Sequence, residues 1–582
     1  MNPALEPFYH GVASGDPLTD RVIIWTRITL DTPTDPVHVN WRMATDTAFT
    51  DLVDSGTAVT GITKDYTVKV DVTGLQPDTW YYYEFEYNGM RSLKGRTHTM
   101  PSGNADSVRI GVVSCSNYQN GYFNAYRDLA FRNDVDYILH LGDYIYEYGA
   151  GSTLAGRNHQ PATEIITITD YRIRHSLYKL DDDLRSLHQQ LPFITVWDDH
   201  ETANDSWKNG AQNHTEGVEG TWADRKLAGV TAYIEWMPIR QPDPADTFRI
   251  YRNFHIGNLA DIYMLDTRLE GRDQQLIKGS PDLKKADRHI ISPAQFGWLK
   301  SGMLQSSAQW QILGQQVMMA PLQLFGSPVN MDQWDGYPQQ RDSLYRFVLD
   351  NKIRNMVVLT GDIHTSWAND LPMTGYVPFS GAHSVGVEFV TTSVTSSNFP
   401  IAANSVVQLF NPHVKYVNMI NHGYYILDLN KKRAQADFYN VSDIRSHAYK
   451  ITTDGGWYTP DGSRHLLQAP EVSDGGWYPP LAPFSLQYTS ASDPDDNIMI
   501  LGAFPNPFYH QIVVQYHTYR PEDITLTVTD LNGKNAFTSS LGKSLKGMNY
   551  VHFDGSSLSP GMYIVTLKGR SASISQRLLK VH

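Results

Sequence analysis

The stretch that most constrains this chain is YILHLGDYIYEYG, residues 137–149, where an apolar run stops at a glycine-aspartate pair. Ile138, Leu139 and Leu141 suit a buried β-strand, and open α/β sheets place ligands at the carboxyl ends of such strands. At that end stands Asp143, which can bridge two cations, with Tyr146 three residues on to offer a phenolate. An ordinary Gly-Asp turn with a packed tyrosine would look the same. The metal reading gains from three companions: SCSN at 114–117, WDDHE at 197–201 and TGDIH at 360–364.

A chain of 582 residues exceeds one ordinary core and predicts two to four domains. Residues 1–100 alternate in VIIWTRI, VHVNWRMA, YTVKVDV and WYYYEFEY between Asp-, Pro- and Gly-rich turns, the pattern of an immunoglobulin- or fibronectin-like β-sandwich. The segment LQPDTWYYYEFE at 75–86 resembles a fibronectin type III turn and strand, and GVASGDP at 11–17 reads as a loop that reaches the next domain. From 105 to 442 strands and helices alternate, which predicts a layered α/β domain. Within it one helix is expected over 168–191 and another over 222–240, stopped near Pro238. HGYYILDLN and RAQADFYNV are expected to form an edge hairpin that closes the domain.

Residues 443–495 are less regular and carry a near-repeat, DGGWYTPDG and DGGWYPPL, beginning at Asp454 and Asp474. This reads as a linker or a surface wrap. Residues 500–582 form a separate small β-sandwich, its strands divided by LNGK and SPG turns.

A formal charge of −13 leaves no basic patch for nucleic acid and argues against a nucleic-acid-binding module. Cys115 is the one cysteine, so no intrachain disulfide forms. No apolar run reaches the roughly 18 residues that a membrane span needs. The first residues lack the basic and apolar regions of a signal peptide, and for an exported protein that signal is expected to have been cut away.

Four strand ends far apart in sequence can assemble one site. Asp143, Asp199 and Asp362 supply oxygen, His364 supplies nitrogen, and Cys115 and Tyr146 are anionic ligands. Thiolate and phenolate suit iron, whereas carboxylates suit calcium or another hard cation. Two cations about 3.5 to 4 Å apart would activate water and bind phosphoryl oxygens. His200 would then be free to stabilise the transition state or protonate the leaving oxygen. Plainer roles compete: an inert buried thiol for Cys115, a core position for His364, turn or supporting positions for Asp198, Glu201 and Asp205, and a structural role for the helical His188.

The ordered set GVASGDP, SC, GDYIYE, WDDHE and GDIH, with LYKLDDDLRSLH, AYIEWMPIR, MLDTR and DFYNV between them, resembles the PhoD-like alkaline phosphatases over residues 8–440. The resemblance implies a calcineurin-like metallophosphoesterase sandwich behind a PhoD-type N-terminal domain. It implies ferric iron held by Cys115, Asp143, Tyr146 and His364. One or more calcium ions would be held by Asp143, Asp199 and Asp362, with Asp143 as the bridge. It further implies that His200 contacts the transferring phosphate, with Asn204 and Gln315 near calcium or its water and Arg268 aiding the phosphate site. The implied activity is metal-dependent hydrolysis of phosphate monoesters, and of diesters, by in-line attack of an activated hydroxide.

The last 80 residues, with NPF, DLNGK, LSPGMYIV and a basic LLK terminus, resemble the sorting domain of type IX secretion substrates. That implies export across the outer membrane to the surface or medium, with the type IX machinery as partner; the enzyme itself is expected to be a monomer. A phosphodiesterase or phospholipase D-like enzyme acting on lipid or polymer phosphodiesters is the nearest alternative. A non-catalytic surface binding protein, suggested by the GGWYTP and GGWYPP elements, is the alternative from another class.

Overall fold

A computed structural model describes residues 5–399, 403–476 and 478–484, and in the C-terminal part 498–504, 508, 510–518, 521–530, 533–544, 547–570 and 573–581. Two mixed sheets carry the middle of the chain. In the larger, ten strands run in the order 467–468, Ile451–Pro460, Arg433–Val441, His422–Asn430, Ser107–Val113, Tyr137–His140, Phe193–Thr195, Val12–Gly15, Arg21–Arg27 and Thr67–Thr73. The other has seven, with Trp310–Gly314, Met356–Thr360 and Ala382–Val390 as its parallel centre. Ile138 and Leu139 of the first sheet share one apolar core with Ile312 and Val357 of the second. Hydrogen bonds also cross between the sheets, from the Thr391 hydroxyl to the Val112 carbonyl (3.1 Å) and from the Trp310 indole to the Asn430 carbonyl (2.9 Å).

The three parallel strands Ser107–Val113, Tyr137–His140 and Phe193–Thr195 are buried on both faces, as their unbroken apolar runs predict. All three end on one side, which brings Cys115, Asp143 and Asp199 together. Met356–Thr360 in the facing sheet ends beside them and delivers Asp362 and His364.

The N-terminal strands form a second small core around Val22, Ile24, Val39, Tyr83 and Phe85, with a five-stranded sheet opposite Arg21–Arg27 and Thr67–Thr73. This part is not a separate bead, because Val12–Gly15 joins the larger sheet beside Phe193–Thr195. The join is a parallel pairing of Gly15 with Phe193, continued by the Asp16 amide donating to the Phe193 carbonyl at 2.9 Å. The buried Asp16 carboxylate then accepts from Arg252 (2.7 and 3.0 Å) and from the Arg240 amide (2.7 Å).

Three local expectations give way. The helix expected over 168–191 is two helices, Ile168–Lys179 and Asp182–Gln190, because Asp181 caps the second through the amides of Asp183 and Leu184. The hairpin of His422–Asn430 and Arg433–Val441 is interior, with Ser107–Val113 on one side and Ile451–Pro460 on the other. Part of the expected linker is therefore a strand, paired from Val441–Ile451 to Arg433–Pro460. Beyond it the chain returns over the N-terminal part, where Tyr82 donates to the Pro480 carbonyl (2.5 Å) and Gln190 exchanges two hydrogen bonds with Ala482 (2.9 and 2.8 Å).

The C-terminal part holds a three-stranded and a four-stranded antiparallel sheet around Ile512, Val514, Leu526, Val528, Val565 and Leu567. Of the NPF motif only Phe508 lies within the described residues, and Leu531 and Asn532 of the DLNGK turn and Trp477 of the second near-repeat lie outside them. Among the described residues no helix is long and apolar enough to cross a membrane.

At the join between the two parts, a Cβ on Gly15 would press on the backbone carbonyls of Pro238 and Phe193. Gly15→Ala is expected to lower stability by about 1–3 kcal/mol through overpacking. Gly297→Ala, in the helix Pro293–Gln305 with nothing within 4 Å of the new methyl, is expected to raise it by up to about 1 kcal/mol. Urea denaturation of the two variants checks both signs.

Candidate active site

The four strand ends carry their chemistry on strained backbone. Cys115 (φ 60°), Asp143 (φ 56°), Asp362 (φ 66°) and His364 (φ 60°) all lie in the left-handed region, which costs a non-glycine residue on the order of 1–3 kcal/mol in the sparsest cases. Gly142, at φ 105°, is tied to its type twice over, because a Cβ there would sit 2.6 Å from the Asp198 backbone nitrogen. The turns are held from behind by Glu201, whose buried carboxylate accepts the amides of Asp143 (3.2 Å), Tyr144 (2.6 Å) and Asp198 (2.8 Å). Glu201 thus clamps the end of one strand to the end of the next.

Three overlapping groups of ligand atoms result, each with its members within 4.8 Å of one another: Cys115, Asp143 and His364; Asp143, Asp199 and His200; Asp198, Asp199 and Asp362. Asp143 and Asp199 are each shared between two groups. Tyr146 stands at the first group, its hydroxyl 2.9 Å from Asp143 Oδ2 and 3.5 Å from His364 Nε2, and it accepts from Ser396 Oγ at 2.6 Å. His364 Nδ1 lies 2.9 Å from the Ser397 carbonyl, which takes its N–H and leaves Nε2 for a ligand.

His200 is fixed the same way. Its Nδ1 lies 2.7 Å from Glu147 Oε2, and its ring packs on Tyr146 with centroids 4.2 Å apart. Glu147 is itself held by the Asn204 amide and the Asn213 side chain, both at 2.8 Å. Burial works against a charged imidazole, but Glu147, Asp143 and Asp199 together raise His200 well above its ordinary pKa.

Arg268 is fully buried among the acids. Its guanidinium donates to Asp198, to both oxygens of Asp332 (2.7 and 2.9 Å) and to Asp362 (2.9 Å), with Asp199 at 3.7 Å. In this structure the donors of Arg268 are all turned to carboxylates. Gln315 also faces the framework, donating to the Val317 carbonyl (2.5 Å) and accepting from the Trp334 indole (3.2 Å). The Asn204 side chain donates to Gln212 at 2.9 Å.

Arg268, with Arg272 on Asp332 and a charged His200, does not balance these charges. Burial, then Asp198, pushes Asp362 well above the usual carboxylate range; burial, then the neighbouring acids against His200, does the same to Asp143. Burial and Asp199 move Asp198 to about 7, and burial moves Glu201 to about 8. Against its own burial, Asp199 is held low by Arg268 and His200. Asp143 Oδ1, Asp198 Oδ2 and Asp199 Oδ1 are buried with no hydrogen-bond partner. Burial and Asp143 also keep the Cys115 thiol and Tyr146 phenol far above their ordinary pKa values. Orphaned carboxylate oxygens beside a buried thiol, phenol and imidazole fit multivalent cations, which would satisfy the oxygens and ionise the thiol and phenol.

Sequence reasoning brought Cys115, Asp143, Tyr146, Asp199, His200, Asp362 and His364 to one place. It missed Glu147 and Asp332, and it treated Glu201 and Asp198 as marginal. Glu147 stands inside the quoted GDYIYE motif and could have been found there; Asp332 lies in a loop with no local signal. The site opens on the side of the half-buried Asp362 and His364.

Residues 110–438 match the PhoD-like phosphatase family, residues 1–101 its N-terminal domain, and residues 502–581 the secretion system C-terminal sorting domain. Alkaline phosphatase D of Bacillus subtilis (strain 168) is 36% identical over 475 residues, covering 77% of this chain and 80% of that protein. A solved structure described as the structure of PhoD superposes with a TM-score of 0.75 at 32% identity, covering 82% of this chain and 95% of the other. The chain belongs to the PhoD-like phosphatase family.

Proposed function

We propose that this phosphoric ester hydrolase of the alkaline phosphatase D type works at the strand-end cluster, with Asp143 as the shared ligand of two unlike cations. The observation that carries the reading is the overlap of the three ligand groups at Asp143 and Asp199. Cys115, Asp143, Tyr146 and His364 would hold ferric iron, and Asp143, Asp199 and Asp362, with Asp198 beside them, would hold calcium. When bound, such cations supply Lewis acidity toward the phosphoryl oxygens and lower the pKa of water.

The chain's own residues do the rest. Ser396 and Asp143 fix the Tyr146 phenol, and the Ser397 carbonyl fixes the ligating face of His364. Glu147 holds His200 as a cation, and Nε2–H of that ring is the donor to the transferring phosphate and to the leaving oxygen. Arg268 is a positioning residue: its four carboxylate partners come from three separate segments, and without it their mutual repulsion would splay them. Asn204, through the amide it donates to Glu147, supports His200 rather than a cation. The match of 502–581 to a sorting domain directs the protein to secretion or the cell surface, and the type IX machinery is the partner that this tail would engage.

Chelation is expected to abolish phosphate release from 4-nitrophenyl phosphate, and Cys115→Ser and Asp143→Asn are each expected to lose both bound iron, by elemental analysis, and activity. Tyr146→Phe is expected to bleach the visible charge-transfer band of the purified protein while its melting transition stays cooperative. A colourless, iron-free and fully active preparation would contradict the iron assignment.

Glu147→Gln is expected to lower kcat by about 10–100-fold, the usual effect of losing the group that orients a site histidine. KM and metal content would change little, because Glu147 touches neither the substrate nor a cation in this reading. Steady-state kinetics with elemental analysis checks this, and unaltered turnover would remove Glu147 from the mechanism.

A further inference from the structure

Tyr146 and Glu147 are neighbours in sequence with duties in different parts of the site. The Tyr146 phenol stands at Asp143 and His364, and the Glu147 carboxylate holds His200. One planar peptide unit lies between them, so its tilt sets the direction of both side chains at once. The carbonyl of that unit, the one of Tyr146, accepts from the guanidinium of Arg174. The next carbonyl, that of Glu147, accepts the Ile165 amide at 3.0 Å.

Arg174 comes from the helix Ile168–Lys179 and is fully buried. Its remaining donors also go to main-chain carbonyls: Nε to Gln160 (3.0 Å), and Nη2 to Pro161 (3.2 Å) and Thr163 (3.5 Å). Among the described residues it forms no ion pair, whereas the equally buried Arg225 pairs with Glu164 at 2.6 Å. Burial lowers its pKa to about 10, with Tyr178 and Glu147 acting the other way, so it stays charged at neutral pH. Burying a cation away from any carboxylate is costly. What the guanidinium holds in return are the two ends of one loop, 147–163, which is also closed by the Ala150 amide on the Ala162 carbonyl (2.7 Å). That loop lays Tyr148 edge-on against the His200 ring, centroids 5.3 Å apart.

We infer that Arg174 is a positioning residue for the reaction: by holding the Tyr146 carbonyl it sets the peptide plane that aims the Tyr146 phenol at the iron-binding group and the Glu147 carboxylate at His200. The inference rests on the strand-end cluster being the phosphatase centre. Arg174 itself touches neither a candidate ligand side chain nor His200, and it acts on both through the main chain. The planar fork is what the task needs, because its donors reach Tyr146 and the 160–163 segment together. A lysine keeps the charge but, as a point donor on a flexible stem, does not span the two.

Arg174→Lys and Arg174→Gln in the full chain are the variants, followed by hydrolysis of 4-nitrophenyl phosphate, the visible spectrum, iron content and the melting transition. Each is expected to keep its iron, to lower kcat by about 10–100-fold with KM little changed, as a small misplacement of site groups does, and to displace the charge-transfer band. The pairing of the two effects is the signature, since Glu147→Gln acts on kcat alone and Tyr146→Phe removes the band. Combined with Glu147→Gln, Arg174→Lys is expected to cost less than the product of the two separate losses, because both act on His200. A lower melting temperature with kcat and the band at their wild-type values overturns the inference and leaves the phosphatase reading standing. If the glutamine variant does not fold, the lysine variant decides; failure of both to fold makes Arg174 a residue of the frame and overturns the inference as well. Wild-type protein with neither iron colour nor activity overturns the centre on which it rests.

Discussion

Mutual repulsion among buried carboxylates is the constraint from which the site follows. Asp143, Asp198, Asp199 and Asp362 meet at the ends of strands from two facing sheets, with Asp332 behind them and Arg268 as the guanidinium among them. In a low-dielectric interior, like charges that close cannot all stay ionised without a counter-charge. The raised pKa values of Asp143, Asp198 and Asp362 and the unpartnered oxygens of Asp143, Asp198 and Asp199 are two expressions of that imbalance. The backbone adds to the cost, since Cys115, Asp143, Asp362 and His364 all sit at positive φ. A fold retains such an arrangement when cations complete it, and the rest of the core serves as the frame that keeps the turns in place.

The frame is more continuous than a string of domains. Gly15 beside Phe193 joins the N-terminal strands to the sheet that carries Cys115, Asp143 and Asp199, and Asp16 is locked to Arg252 and Arg240 of the middle part. On the far side, Arg433–Val441 takes Ile451–Pro460 as a further strand, and the following chain packs back on the N-terminal part through Pro480 and Ala482.

The parts of this structure that were legible in the sequence are those where a local pattern decides the outcome. Apolar runs such as Ile138 to Leu141 announce buried strands, and a ligand type set directly after each run announces a site at their ends. The exchange of partners between distant segments was not legible. Whether the hairpin of His422–Asn430 and Arg433–Val441 closes the sheet depends on Ile451–Pro460 pairing with its outer strand, and nothing in its own alternation says so. The carboxylates around Arg268, Asp332 and Asp362 among them, come from separate segments that no local pattern connects to it. The break at Asp181 had a local signal, an N-cap followed by two acidic residues, but the apolar periodicity on both sides hid it.

The central claim is that Asp143 bridges two chemically unlike cations. Anomalous diffraction from crystals of the purified protein, recorded on both sides of the iron absorption edge, tests it most directly. The account predicts a difference peak, present only above the edge, within bonding distance of Cys115 Sγ, Tyr146 Oη, His364 Nε2 and one oxygen of Asp143. A second cation, silent at that edge, should lie on the other Asp143 oxygen beside Asp199 and Asp362. Two peaks of the same element, or density that leaves Asp143 outside both coordination spheres, would contradict it.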